Sequence, residues 1–390
     1  MTIHRNYIVS VSGVVVLLGL SVFGLSPATP RSDARPIGPV KPAAVLQTSG
    51  GRAAPTRGFV AATSVAASSI PNALLSDRND DLSIDATLGD ENIALERKRR
   101  RRPGSCCQVV ISIIAVLVGR PAGDGTPPMI DLRATITGED AVRGSLIYAL
   151  AWLAGDADPL AHVRALGFNI DASVEHDRPC TDRLAGGACL ERARRLATLL
   201  DATLALGDPD ERLLFRQSAG ALGVAPDCSA PVTRALVSEE FNRRDLLIDA
   251  TLGDREVTVR KAGRDRTEYL VVKMNDVLLT SGDGEPPQSI DLRATIEGAD
   301  AGRGSLPYAL AWLAGYADPQ SPVHALGYDL TVRNQRIHSC SNRQGGYTCE
   351  NAARRLATLI DATLALGVAD ERSQFRRDAA AIGIAPDCVP

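Results

Sequence analysis

An internal repeat is the strongest constraint on this chain. The sequence IDLRATITGEDAVRGSLIYALAWLAG at Ile130–Gly155 returns as IDLRATIEGADAGRGSLPYALAWLAG at Ile290–Gly315. The match continues without a gap to Cys228 and Cys388, and about 60 of 99 aligned positions are identical. A second match, LSIDATLGD at Leu82–Asp90 and LLIDATLGD at Leu246–Asp254, shows that each copy begins earlier. The repeat therefore predicts two homologous units.

The chain has 390 residues, so each unit is long enough for a core of its own. We predict two tandem homologous α+β domains at 72–228 and 229–390. Each is expected to hold a small antiparallel sheet, one central helix and a C-terminal helical hairpin. β-Branched residues around a Gly-containing break predict a β-hairpin at Arg255–Ser281. Other predicted strands are Gln108–Val118, Ser289–Ile296, Leu166–Val174 and Leu326–Asn334.

The helices are predicted from capping residues and apolar spacing. The central helix is expected to begin after Gly144-Ser145 in one copy and Gly304-Ser305 in the other, with the serine as N-cap. Pro307 would then lie in the first turn, where a missing N–H costs little. Cys189–Leu206 carries an apolar stripe at helical spacing, and Asp208 opens a second helix that runs to about Leu222.

The N-terminus is typical of an exported or anchored protein. Tyr7–Leu25 is almost wholly apolar, and Ser26-Pro27-Ala28 offers a cleavage site, so residues 1–28 are predicted to be a signal peptide or an uncleaved membrane anchor. Residues 29–71 are rich in Pro, Ala and Ser and are predicted to form a disordered linker. A secreted or periplasmic body is favoured, although Arg31, Arg35 and Lys41 favour a cytoplasmic body if the apolar segment stays in a membrane.

The cysteines are a second argument for export. Cys180, Cys189 and Cys228 recur as Cys340, Cys349 and Cys388, and this retention favours disulfides over small buried thiols. An antiparallel helical hairpin would bring its two ends together, so we predict the pairs Cys189–Cys228 and Cys349–Cys388. A Cys180–Cys189 loop is the competing pairing, and Cys106 and Cys107 have no equivalents.

A set of polar residues is retained in both copies and is the candidate ligand site. Its members could grip an anion through arginine forks, or they could be structural salt bridges and core residues of one helix face. The set is Asp131, Arg133, Asp140, Arg143 and Tyr148 in copy one, and Asp291, Arg293, Asp300, Arg303 and Tyr308 in copy two.

Catalytic signatures are weak. No position is His in both copies, which excludes a catalytic or metal-binding His shared by the two domains. The chain has no Gly-rich phosphate loop, GxSxG, HExxH, CxxC pair or EF-hand loop, so no metal, cofactor or catalytic residue is predicted. A hydrolase that uses the retained Asp, Arg, Ser and Tyr residues is the enzymatic alternative. It requires Asp131, Arg143 and Ser145 to share one pocket.

Arg97–Arg102 is a basic run found in copy one only. It predicts either an exposed charged loop or a binder of anionic polymer or membrane surface. The net charge of −3 and the lack of flanking aromatics argue against a specific nucleic-acid partner. The favoured function is an exported or membrane-tethered tandem-repeat binding protein without catalytic activity, whose partner is an unknown protein or an anionic surface ligand.

Overall fold

The computed structural model describes residues 81–89, 91–102, 105–116, 129–178, 188–207, 209–228, 245–263, 269–278, 288–338, 348–367 and 369–387. They belong to one compact unit, Asn72–Pro390. The predicted signal or anchor segment and the predicted linker lie outside these residues.

Each repeat contributes five described strands and four described helices. The strands of repeat one are β1 (Leu82–Leu88), β2 (Glu91–Arg102), β3 (Ser105–Val116), β4 (Met129–Thr137) and β5 (Asp171–Arg178). Its helices are α1 (Ala141–Leu153), α2 (Pro159–Ala165), α3 (Ala188–Leu204) and α4 (Pro209–Ala221). Repeat two has β6 (Leu246–Leu252), β7 (Arg255–Gly263), β8 (Tyr269–Leu278), β9 (Gln288–Glu297), β10 (Thr331–His338), α5 (Ala301–Leu313), α6 (Gln320–Ala325), α7 (Thr348–Leu364) and α8 (Ala369–Ala381).

The two repeats share one antiparallel sheet. Its described strands run in the order β10-β9-β8-β7-β6-β1-β2-β3-β4-β5. The two halves meet where β1 pairs with β6, with Asp85 directly opposite Asp249. These aspartates are equivalent positions of the two repeats, so a pseudo-two-fold axis passes between them. The α+β class with an antiparallel sheet is confirmed, but two separate domains are not, because the repeats also share one continuous core.

All the described helices pack on one face of the sheet. In β1 the side chains of Leu82, Ile84, Ala86 and Leu88 are buried while Ser83 and Asp85 are exposed. The same alternation recurs in β6 and β7, as expected when one face of an antiparallel sheet is packed and the other meets water. We call the second face, opposite the helices, the open face.

Several sequence predictions are confirmed. The β-hairpin of repeat two is β7–β8, and the strand predicted at Gln108–Val118 is β3. The C-terminal helical hairpins are α3–α4 and α7–α8. The strands predicted at Leu166–Val174 and Leu326–Asn334 begin later, at Asp171 and Thr331, because a short helix precedes each of them.

The predicted start of the central helix is wrong. Helix α1 begins at Ala141, and Ser145 lies inside it, where its Oγ donates to Val142 O at 2.8 Å. Pro307 likewise lies inside α5 and not in its first turn. The N-cap position belongs to Asp140, whose carboxylate accepts from Asn169 N at 2.7 Å and so ties the helix to the segment before β5.

The prediction of an exposed loop at Arg97–Arg102 is also wrong. The run is the second half of β2, and the side chains of Arg97, Lys98, Arg99 and Arg100 alternate between the two faces. Arg97 points into the core with 1% of its surface exposed, and its Nη1 donates to Val142 O at 3.1 Å and to Glu211 Oε1 at 3.3 Å. The equivalent of Arg97 in repeat two is Lys261, which is also 1% exposed.

A reciprocal charge network holds the helical layers of the repeats together. Arg212 of repeat one forks onto its own Asp201 and also reaches Asp387 Oδ2 of repeat two at 2.6 Å. Arg372 of repeat two repeats this pattern, with Asp361 as its own partner and Asp227 Oδ2 across the boundary at 2.9 Å. Burial alone would lower the pKa of Arg212, but hydrogen bonds and charge from Asp201 and Asp387 raise it.

Close glycine contacts are equally reciprocal. A methyl group at Gly207 would come 2.6 Å from Leu252 of β6, and one at Gly367 would come 2.7 Å from Leu88 of β1. Each helical hairpin therefore packs against the first strand of the other repeat, and a side chain at either glycine would force the facing leucine side chain to move.

Substitution of Asp201 tests how much the charge network contributes to stability. Asp201 is 4% exposed and accepts from both Arg212 and Arg216, so Asp201→Ala leaves two guanidinium groups short of their counter-charge. We expect the free energy of unfolding to fall by about 3–5 kcal/mol. Urea unfolding of the full chain measures this, with the exposed Glu139→Ala as control. A loss below about 1 kcal/mol would contradict the structural role given to the network.

Lys261 gives stability a distinct pH dependence. Burial lowers its pKa from 10.5 to about 8, against the attraction of Glu371 and Asp245. Between these values the unfolded chain keeps a proton that the folded chain has released, so the free energy of unfolding rises with pH, by up to about 1.4 kcal/mol per pH unit. We expect this rise between pH 8 and pH 10 in urea unfolding.

The matched variants are Lys261→Met, which should lose the rise, and the exposed Lys98→Met, which should keep it. Burial raises the pKa of Tyr308 to about 12, aided by Asp318. Tyrosine therefore acts in the opposite direction only above about pH 10, where the unfolded phenol titrates. Identical pH profiles for the chain and Lys261→Met would show that Lys261 does not titrate differently on folding.

Candidate functional site

The open face is organised in rows that run across the strands. In an antiparallel sheet, directly paired residues have side chains on the same face, about 5 Å apart. The register places Arg260 opposite Lys273, Lys273 opposite Arg293, and Arg293 opposite Arg336. These four exposed cations, one from each of β7, β8, β9 and β10, are called the basic row.

None of the four makes an ion pair or a side-chain hydrogen bond with any partner in the described parts of the chain. Like charges placed directly opposite on neighbouring strands destabilise a sheet. A row of unpaired cations is therefore a feature that the fold tolerates at a cost in stability.

The equivalent row of repeat one is neutralised. Its members are Glu96, Ser112, Arg133 and His176, paired in the same order across β2, β3, β4 and β5. Arg133 Nε lies 3.0 Å from Glu175 Oε2. His176 Nε2 lies 3.0 Å from Asp131 Oδ2. One substitution explains part of the contrast, because Gln335 stands in repeat two where repeat one has Glu175.

Gln335 cannot neutralise Arg293. Its amide nitrogen donates to the hydroxyl of Tyr308, which lies in the core with 1% exposed surface. The carboxylate that serves Arg133 in repeat one therefore has no counterpart beside Arg293. Arg260 occupies the position that Glu96 has in repeat one. The basic row therefore lacks this carboxylate as well as that of Glu175, and it has a cation in place of Glu96.

The rows on either side of the basic row differ in charge. Toward one end of the strands lie Thr258, Asn275 and Asp291, and Asp249 continues that row onto β6. Toward the other end lie the uncharged Ala262, Val271 and Thr295, and Arg333 continues that row onto β10, where it pairs with Glu297. Of the residues that lie directly beside the basic row on β7, β8 and β9, Asp291 alone carries a carboxylate.

The retained polar residues predicted as a ligand site do not form one cluster. Asp131, Arg133, Asp291 and Arg293 lie on the open face of β4 and β9. Asp140 and Asp300 accept from backbone nitrogens, Asn169 at 2.7 Å and Asp329 at 3.0 Å. Tyr148 and Tyr308 are buried in α1 and α5. Arg143 is exposed on α1, and Arg303 is half-buried on α5.

The two tyrosines are held as neutral phenols. Burial raises the pKa of Tyr148, and the charges of Asp177 and Asp158 raise it further. Tyr308 is raised to about 12 by burial and then by Asp318. Ser145 is buried and bonded within its own helix, while Asp131 lies on the opposite face of the sheet. The residues that the hydrolase alternative needs are therefore not gathered in one pocket.

A cavity of about 500 Å³ lies at the boundary between the repeats, and none of the predicted ligand-site residues lines it. Its polar lining is largely engaged, since Thr198 Oγ1 donates to Arg194 O and accepts from Asp227 N. Arg195 pairs with Glu91 at 3.1 Å. This cavity is thus less suited to an anion than the basic row.

The cysteine pairing stays a prediction. Cys189 and Cys349 are buried at the starts of α3 and α7, and Cys228 is half-buried. Cys388, Cys180 and Cys340 lie outside the described residues, as do the side chains of Cys106 and Cys107.

Within the described ranges, no group of three or more His, Cys, Asp or Glu side chains is placed to hold a metal ion. None of the helices described is long and apolar enough to cross a membrane. Comparison with protein-family models, curated proteins and solved structures finds no match to this chain.

Sequence reasoning found Arg293 but missed Arg260, Lys273 and Arg336. These three residues lie in the segments where the two repeats have diverged most, whereas the ligand site was predicted from residues that both repeats retain. The sequence signal for them was the excess of Arg and Lys in Arg255–Lys273. Only the strand register shows that Arg260 and Lys273 lie in one row with Arg336.

Repulsion within the basic row should be measurable as stability. Lys273 faces a cation on each side, so Lys273→Thr should raise the free energy of unfolding by about 0.5–1 kcal/mol at low salt. The gain should shrink at 1 M NaCl, where screening acts within about 3 Å. Urea unfolding at both salt concentrations measures it.

Lys98→Thr is the matched control, because Lys98 on the open face of β2 pairs with Glu96. It removes an attraction and should give no such gain. A salt-independent effect of Lys273→Thr would instead assign the change to β-propensity.

Proposed function

We propose that this chain is an exported or membrane-tethered binding protein without catalytic activity, and that the open face of repeat two takes an anionic ligand. The observation that carries the proposal is the basic row, four exposed cations on four adjacent strands that have no carboxylate partner among the described residues. The retained Arg293, one of the residues first predicted for a ligand site, lies within it.

The energetics favour a ligand at this place. Four neighbouring cations repel one another, and an anion bound among them would convert that repulsion into attraction. Three of the four are arginines, whose planar forks match phosphate, sulfate and carboxylate groups. A charge row of this kind therefore favours binding over a purely structural role.

The tandem repeat supports a division of labour. Repeat one keeps the same strand positions but fills them with Glu96, Ser112, Arg133 and His176, of which Glu96 and Arg133 are ion-paired and His176 contacts Asp131. The two related domains first predicted are, in this proposal, two halves of one sheet with different surfaces. Repeat one is the half available for another partner.

The other candidate functions have less support. Of the Arg97–Arg102 run, Arg97 is buried and Lys98 is paired with Glu96, so fewer cations remain for an anionic polymer or membrane. The hydrolase alternative has no pocket that joins Asp131, Arg143 and Ser145. Export to a secreted or periplasmic location, with or without an N-terminal anchor, rests on the apolar segment Tyr7–Leu25 and on the retained cysteines.

A matched pair of variants tests the proposal. Arg293→Ser removes a free cation, whereas Arg133→Ser removes its ion-paired equivalent in repeat one. On a heparin column we expect Arg293→Ser to elute at clearly lower salt and Arg133→Ser to elute close to the unchanged chain. Loss of one contact should reduce the slope of log affinity against log salt by about 1. Equal elution of all three proteins would contradict the proposal.

A further inference from the structure

We infer that the ligand of the basic row is a linear polyanion that lies across strands β7 to β10. This inference rests on the proposed anion-binding function and adds the form of the ligand. Its basis is the arrangement of the four cations, which form a line perpendicular to the strands and not a compact cluster.

The dimensions of the row fit an extended chain. Neighbouring strands lie about 4.8 Å apart, so the three intervals between β7 and β10 span about 14 Å. A single phosphate or sulfate group can be gripped by two neighbouring cations, which leaves the other two without a partner. A chain of closely spaced anionic groups can neutralise all four, one strand after another.

The flanking rows favour a narrow ligand over a flat anionic surface. Successive rows on one face lie about 7 Å apart along the strands. A chain on the basic row has Ala262, Val271, Thr295 and the ion-paired Arg333 on one side, and Asp249 and Asp291 repel it from the other. A flat anionic bilayer would approach those aspartates and Asp85 together with the basic row, and the aspartates would repel it.

The two ends of the row differ. At β6 the next residue of the row is Leu247, followed by Thr87 on β1, so the cations stop near the pseudo-two-fold axis. At the other end Arg336 lies on β10, the outermost strand in the order of the sheet. No described strand lies beyond Arg336, so the described part of the sheet leaves a polymer free to continue past this residue.

The chemistry of the neighbouring side chains favours a polyanion without bases. Proteins that bind single-stranded nucleic acid stack bases on aromatic rings. Among the described side chains of the basic row and the rows beside it, none is Phe, Tyr or Trp. Chains that carry only anionic groups, such as polyphosphate or a sulfated polysaccharide, therefore fit this face better.

A chain-length series of inorganic phosphates tests the inference on the full chain. Orthophosphate, tripolyphosphate and long-chain polyphosphate compete against fluorescently labelled long-chain polyphosphate, with concentrations expressed per phosphate. We expect affinity per phosphate to rise at least about tenfold from orthophosphate to the long chain, because more counterions are released as more cations are covered.

Variants at the two ends of the row separate length from charge. Arg260→Ala and Arg336→Ala should each weaken long-chain binding about threefold or more, yet change tripolyphosphate binding less than twofold, because the short ligand can sit between Lys273 and Arg293. Arg133→Ala in repeat one serves as the control and should alter neither.

The outcomes separate this inference from the proposed function. Equal affinity per phosphate for all chain lengths, with Arg293→Ser still weaker on heparin, would overturn the linear ligand and keep an anion site. Tighter binding to phosphatidylserine vesicles, or to single-stranded DNA of equal charge, would overturn the inference in favour of a bilayer or a nucleic acid. No binding to any probe, with unchanged heparin elution of Arg293→Ser, would remove the proposed function itself.

Discussion

Backbone pairing between β1 and β6 is the interaction on which the rest of this structure depends. It joins the first strands of the two repeats with Asp85 opposite Asp249, and so makes one sheet out of two halves with five described strands each. Both strands would otherwise be edges with unpaired N–H and C=O groups, which proteins avoid exposing. The helical hairpins cross the same boundary, where Arg212 and Arg372 each bind a carboxylate of the other repeat.

Residues at this boundary and residues on the open face follow different constraints. Asp201, Arg212 and Asp227 have counterparts in Asp361, Arg372 and Asp387, because a buried charge that loses its partner is costly. On the open face, water screens each charge, so Glu96 and Arg260 can occupy equivalent places at a smaller cost than a buried charge without its partner. Divergence on the open face changes the surface charge without changing the fold, and a ligand bound to this face would be attracted or repelled accordingly.

Much of the secondary structure follows from local patterns. The hairpin β7–β8 and the helix pair α3–α4 follow from β-branched residues, from apolar residues at helical spacing and from glycine breaks. All of these patterns are visible in the sequence alone. The start of α1 could not be predicted in this way. The carboxylate of Asp140 binds Asn169 N instead of capping its own helix, and Ser145, which lies inside the helix, matched the N-cap pattern better.

The joint sheet and the basic row could not be foreseen for a related reason. A repeat in the sequence does not say whether its copies pair, and four cations separated by up to 76 positions become neighbours only through three strand registers. The retained residues Arg133 and Arg293 were found, but whether each is free depends on Glu175 and Gln335 across a β-bulge. Local propensity carries no information of that kind.

The pseudo-two-fold axis has the form of an isologous dimer interface contained in a single polypeptide. Two identical chains could make the same contacts, with each position on the axis meeting its own copy, as Asp85 meets Asp249. Identical subunits must carry identical surfaces, so both halves would be basic or both neutral. Covalent fusion removes that requirement while the shared sheet and the crossed arginines still hold the halves in register. One half can then become cationic while the other stays neutral, so asymmetry is available to this chain in a way that it would not be to a homodimer.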